Sequence, residues 1–256
     1  MGIGDYKMAE FQGGLKADKF DDLEAGFGGS SMLYPGISAD ENTLRWGFIR
    51  KVYGILSVQI LLTTIVAGSV VYFEGLKTFF QQTPGLVLFL AFVPLIVMCP
   101  LYAYHQSHPL NLILLGLFTV TMSLSVGISS SMAPAPIVLE AFVLTTIVVV
   151  ALTGYTYWAA KKGMDFNFLG PVLFTSLVVL VFFGLIQAFF PLGNMSQTIY
   201  GGLTALLFSA YLVYDTDQLI KRYTYDKFIL ASVALYLDIL NLFISILQIL
   251  NSSRSE

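Results

Sequence analysis

Four acidic residues stand inside long apolar stretches of this 256-residue sequence: Glu140, Asp215, Asp217 and Asp238. A carboxylate at the centre of a membrane helix costs about 2.5–3.5 kcal/mol on insertion scales, so such residues face a bundle interior and serve a purpose there. Asp215 and Asp238 lie on consecutive stretches joined by a short polar connection. Two carboxylates held close together tend to share one proton rather than ionise together. Protonated, such a pair can hold two helices through a carboxyl–carboxylate hydrogen bond. Ionised, it repels itself and offers hard oxygen ligands suited to transient Ca²⁺ binding. Asp217 is two residues from Asp215, about 200° around a helix, so both cannot point at Asp238. With Lys221 four positions on, Asp217 reads as a solvated or paired charge. Glu140, near the start of its stretch, is either the mouth of a cation path or an acid favoured by a helix N-terminus.

The stretch holding Asp238 adds a pattern. Ala231, Ala234, Asp238, Asn241, Ser245 and Gln248 follow 3-4-3-4-3 spacing and so share one helical face. Asn241, Ser245 and Gln248 suit the wall of a cation pathway, and equally a polar packing seam between helices. The remaining face reads as Leu, Ile, Val and Phe. His105 and His108 are candidate pH sensors by their ordinary imidazole range, or simply loop residues. Two histidines alone make a poor metal site. Cys99 is the only cysteine, which excludes an internal disulfide and a cysteine metal cluster.

These residues need a membrane fold to position them. The chain is 56% hydrophobic and 11% charged, against roughly 25% charged for an ordinary soluble domain. Fourteen of the 29 charged residues fall in the first 51 positions. The rest of the chain has too few to coat a soluble surface. A net charge of −3 without a basic patch excludes a nucleic-acid binder. Seven stretches have the roughly 20 apolar residues a membrane helix needs. They are 52–73, 86–104, 110–131, 137–158, 168–190, 199–220 and 229–250, and the bilayer is the expected partner. The expected fold is an all-α polytopic membrane protein of seven transmembrane helices. No signal-peptide core is visible, so the first span is expected to target the chain.

Eight Lys and Arg residues near the membrane mark one side: Arg45, Arg50, Lys51, Lys161, Lys162, Lys221, Arg222 and Lys227. The other side has Lys77 and Arg254. The N-terminus is therefore expected in the cytosol. At 1.5 Å per residue, Asp215 and Asp217 should lie roughly 8 and 5 Å inside the cytosolic end of the sixth span, and Asp238 roughly 14 Å into the seventh. Residues 1–39 read as a flexible cytosolic segment, 40–250 as the seven-helix transmembrane domain, and 251–256 as a short tail. Ser38 and Glu41 have capping-box spacing, which predicts a helix start near Asp40. Gly201, Ala205 and Ser209 recur every four positions and predict close helix packing.

Several blocks also resemble the transmembrane Bax-inhibitor-motif family, in its plant Lifeguard branch. They include Arg45-Trp-x-Phe-Ile-Arg-Lys-Val-Tyr53, Cys99-Pro-Leu-Tyr102, Asp165-Phe-Asn-Phe-Leu-Gly-Pro171, Tyr214-Asp-Thr-Asp-x-Leu-Ile-Lys-Arg-Tyr-Thr-Tyr-Asp226 and Leu235-Tyr-Leu-Asp-Ile-Leu-Asn-Leu-Phe243. The resemblance covers nearly the whole chain. It implies a central seventh helix wrapped by the other six, a pH-sensitive Ca²⁺ leak and suppression of programmed cell death. It also implies that Asp215 and Asp238 pair and that the Leu-Glu-Ala motif of the fourth helix carries Glu140; the expected location is the endoplasmic reticulum or another endomembrane, with the plasma membrane as alternative. Bacterial relatives carry a basic run after the second helix whose arginine latches the aspartates. Here that stretch reads Tyr104-His-Gln-Ser-His108, which leaves His105 as the candidate cytosolic latch.

The leading expectation is a Ca²⁺-permeable leak channel gated by Asp215 and Asp238, with Ca²⁺ as transported ion, no cofactor and no enzyme activity. The alternative is a membrane interaction protein acting on cell-death regulatory membrane proteins without intrinsic transport. Two further readings are a proton/Ca²⁺ antiporter, whose flux would follow the proton gradient, and an intramembrane aspartyl protease. The protease reading lacks the Gly-x-Gly-Asp motif, since Leu235-Tyr-Leu precedes Asp238.

Overall fold

The structure is a computed structural model that describes residues 32–190 and 193–254. Most of the N-terminal segment expected to be flexible lies outside these residues. Its described part is packed: Leu33 and Ile37 are buried, and the Leu33 backbone N–H donates to Asn42 Oδ1 at 3.1 Å. Among the described residues the chain is helical, with no strand. The helices are α1 (Ala39–Tyr72), α2 (Glu74–Gln82), α3 (Pro84–Ala103), α4 (Leu110–Ser131), α5 (Ala135–Lys161), α6 (Leu169–Phe189), α7 (Asn194–Lys221) and α8 (Phe228–Ser253). A single 3₁₀ turn, Tyr225–Lys227, leads into α8.

The helix starts follow local chemistry. Ser38 caps α1, its Oγ accepting from the Glu41 N–H at 3.3 Å, with Asp40 and Glu41 in the first turn. Those acids suit the positive end of the helix dipole. Pro84 opens α3, and Pro136 sits in the first turn of α5, where a missing N–H costs nothing. The amphipathic α2 was not expected. Leu76, Phe79 and Phe80 share one face of it, and Phe80 is buried against Val70 and Ile128. At the other end of the chain, α8 continues to Ser253, so residues 251–253 are helix rather than tail.

Among the described residues, six helices are long and apolar enough to cross a membrane: α1, α3, α4, α5, α6 and α8. The sequence predicted seven such stretches. The exception is α7, which spans 28 residues, about 42 Å at helical rise. Its length suffices, but Asp215, Asp217 and Lys221 near its end and a polar beginning lower its apolar character.

The last helix is the most enclosed. In α8, 61% of the apolar window is buried, against 11–44% in the other five. It packs on α7, α5, α1 and α4, while α3 leans on α4 and α6 on α7. Four helices rather than six thus form its close surroundings. Val52, Leu56, Phe118, Leu219, Ile229 and Tyr236 anchor the shared core. The basic residues gather at one end. There, Arg45 Nη1 donates to the Tyr223 carbonyl at 2.6 Å, and Gln106 Nε2 donates to Asp226 at 2.7 Å. The connections before α4 and α8 and the start of α1 therefore meet at this basic end.

Candidate functional site

The hairpin of α7 and α8 forms the densest helix pairing in the molecule. Gly201 is one reason. A Cβ there would meet Ile249 Cγ1 at 3.0 Å and the Ser245 carbonyl at 3.3 Å, so glycine lets the two backbones approach closely. Toward the basic end of this seam, the Asp215 and Asp238 side chains are close enough to act on each other electrostatically. Asp238 is only 4% exposed, and no N–H or hydroxyl donates to its Oδ2. Two carboxyls at close quarters do not readily ionise together and tend to share one proton. Among the described residues neither carboxyl forms an ion pair with a Lys, Arg or His. Tyrosines stand nearby instead. Tyr211 and Tyr223 both lie within electrostatic range of the two aspartates. Burial pushes the Tyr223 phenol up, and the two carboxylates push it further, so it stays neutral.

Asp217 has a different environment. Its side chain is fully buried and paired with Lys221 at 2.5 Å. The Phe166 N–H also donates to it at 3.3 Å. This acid is therefore paired but not solvated. The loop it grips is shaped by the end of α5. Gly163 adopts φ +76°, Gly163 N–H bonds to Ala160 O, and Met164 N–H bonds to Ala159 O. These two bonds make a Schellman stop that turns residues 164–167 toward α7. Lys221 then donates to the Met164 carbonyl, Arg222 pairs with Asp165 at 2.5 Å, and Gln218 donates to Asn167 Oδ1 at 3.3 Å. The Asn167 backbone N–H, and then Arg222 and Lys221, hold the Asp165 carboxyl below the usual carboxylate range.

The other predicted site residues are spread along the seam and away from it. Asn241 and Ser245 both back-bond to their own helix, to the carbonyls of Leu237 and Asn241 at 2.9 and 2.7 Å. Gln248 donates to the Gln197 carbonyl at 3.3 Å. Near it, a recess of about 570 Å³ is lined by Gln187, Gln197, Tyr200 and Gln248. Glu140, on α5, pairs with Arg254 at 2.8 Å, both side chains being about half exposed. His105 is turned to the Tyr102 carbonyl, 2.6 Å from its Nδ1, and contacts neither aspartate. Among the described residues, no three His, Cys, Asp or Glu side chains converge as a metal site; Asp215 and Asp238 bring two carboxyls.

A second polar layer was missed in the sequence. Gln59 Nε2 donates to Thr119 Oγ1 at 3.0 Å, Ser123 Oγ donates to Thr63 Oγ1 at 3.0 Å, and Thr63 shares a 2.6 Å hydrogen bond with the Tyr236 hydroxyl. It ties α1, α4 and α8 together. It also shows that the non-aspartate face of α8, read as purely apolar, carries a hydrogen-bonded phenol. The signal was present as polar residues four apart, Gln59 with Thr63 and Thr119 with Ser123, which share a helical face.

An all-helical membrane bundle with two acids facing each other across its last helix hairpin is the class that fold and site define. The family described as "Inhibitor of apoptosis-promoting Bax1" matches residues 45–255, and the chain belongs to it. It is 60% identical to the "BI1-like protein" of Arabidopsis thaliana, over 91% of each chain. It is 54% identical to "Protein LIFEGUARD 4" of the same plant, over 91% of this chain and 96% of that one. It is also 38% identical to a "Golgi anti-apoptotic protein" of Vaccinia virus (strain Lister), over 83% of this chain and 88% of the other.

Proposed function

We propose that this protein is a pH-sensitive, Ca²⁺-permeable leak of an endomembrane that suppresses programmed cell death. In this reading α7 also crosses the bilayer, giving seven crossings, and the basic end faces the cytosol. The observation that carries it is the proximity of Asp215, half-buried on α7, to the buried Asp238 of α8. Shared protonation holds α7 against α8. Loss of the proton sets two like charges against each other in a buried seam, where repulsion is strong, and loosens the helices. The carboxylates then serve as a transient stop for Ca²⁺. The cation continues along Asn241, Ser245 and Gln248, and Glu140, now held by Arg254, stands at the far end. The family and the name of the viral relative support the cell-death role. The Golgi in that name supports an endomembrane.

The test is Ca²⁺ flux through the full chain reconstituted in liposomes. Flux is expected to rise as pH is raised and to fall at least tenfold in Asp238→Asn with loss of the pH response. Unchanged flux and pH response in that variant would sink the mechanism.

A further inference from the structure

A groove of about 430 Å³ runs between α1 and α4, away from the α7–α8 seam. Its depth comes from missing side chains. A Cβ added at Gly54 or at Gly116 would find no atom within 4 Å. Val58 and Leu112 are exposed on its walls. On the floor the Gln59 amide is turned inward to Thr119, and the open lining is almost wholly carbon. Such a surface wants an apolar occupant.

One end of the groove is different. Arg50 and Lys51 line it there. Both are exposed, and neither forms an ion pair among the described residues. The Phe228 ring of α8 lies under Lys51 Nζ, 3.3 Å from ring centre to nitrogen, and orients the cation. From Arg50 to Leu62, at the groove's other end, is about 18 Å of helix. That is close to one leaflet, half of the roughly 30 Å hydrocarbon core.

We infer that this groove is a binding site for one anionic phospholipid, its phosphate against Arg50 and Lys51 and one acyl chain between Gly54 and Gly116. Charge complementarity selects the headgroup, as in basic pockets between membrane helices elsewhere. The glycines select a chain rather than a bulky ring system, because they open a slot only one side chain deep. The site does not depend on the aspartate pair.

Native mass spectrometry of the full chain in detergent, with phosphatidylserine or phosphatidylcholine added, tests this. The wild type is expected to retain phosphatidylserine roughly tenfold better than phosphatidylcholine, from two cations near the headgroup. Arg50→Gln with Lys51→Gln should erase that preference. Gly54→Leu with Gly116→Leu should release both lipids. Lys161→Gln with Lys162→Gln, basic residues outside the groove, should keep the preference. Equal retention of the two lipids by wild type overturns the proposal. So does a preference that survives loss of Arg50 and Lys51, or one that disappears equally with Lys161 and Lys162. The Arg50 and Lys51 changes lie on an exposed surface, so they remain informative if the leucine variant fails to fold.

Discussion

Asp215 and Asp217 are two residues apart on α7 and occupy opposite electrostatic worlds. Asp217 is the more buried, yet it has a lysine one turn on and a backbone N–H from the neighbouring loop. Asp215 faces α8, where its partner is another acid. A carboxylate with a cation beside it keeps its charge, and removing the partner is what destabilises it. A carboxyl facing a carboxyl keeps its place only while a proton is shared. Depth therefore does not separate the acid proposed to switch from the ion-paired one. The sign of the partner does, and helical periodicity sets which partner each acid can reach.

That contrast predicts two outcomes that must diverge. The larger is on transport: Asp215→Asn should remove the pH response of Ca²⁺ flux as Asp238→Asn does, while Asp217→Asn should leave the pH response in place. A pH response lost in all three would erase the distinction. The next effect is on stability. Asp217→Asn leaves Lys221 without its buried partner, a loss on the order of 3 kcal/mol. Thermal unfolding in detergent should show a clear fall in Tm, with part of it recovered by adding Lys221→Met. Asp215→Asn should leave Tm nearly unchanged, since an amide can still donate to the Asp238 carboxylate.

The sequence made the two facing acids easier to single out than their surroundings. Asp215 and Asp238 stood out because an acid in an apolar run is costly, and helical rise put both near the same end of their hairpin. Close packing at Gly201 was legible for a similar reason, since a four-residue stripe of small residues has one common use in bundles. What escaped depends on partners from distant parts of the chain. Asp217 could be matched with Lys221 by spacing alone, but its hold on Phe166 depends on where the α5 stop at Gly163 sends the loop. Tyr236 drew no separate reading in the sequence, because its hydroxyl's partner, Thr63, comes from α1. The helix α2 was hidden because Phe73 ends one apolar run and the next begins at Leu86, so nine amphipathic residues read as a connection. The seventh stretch is the one that apolar character does not support, because Asp215, Asp217 and Lys221 lower it in α7.

The smallest effect belongs to the outermost part of the structural cluster, Asp165 with Arg222. Both side chains are about half exposed, so the pair is worth less than about 1 kcal/mol. Its pH dependence has a definite sign. The Asp165 carboxyl is held below the usual range in the folded chain, so the unfolded chain binds its proton more readily. The stability it contributes is present above the ordinary aspartate value of about 3.9 and is lost as pH falls through its lower folded value. Between pH 5 and 8 it is constant, so a pH-dependent change in Ca²⁺ flux across that range cannot arise from this pair. Asp165→Asn should therefore shift Tm slightly at neutral pH and leave the flux profile superimposable on wild type. A displaced flux profile in that variant would mean that the loop after α5 is coupled to the α7–α8 seam, and that the two acidic regions work as one.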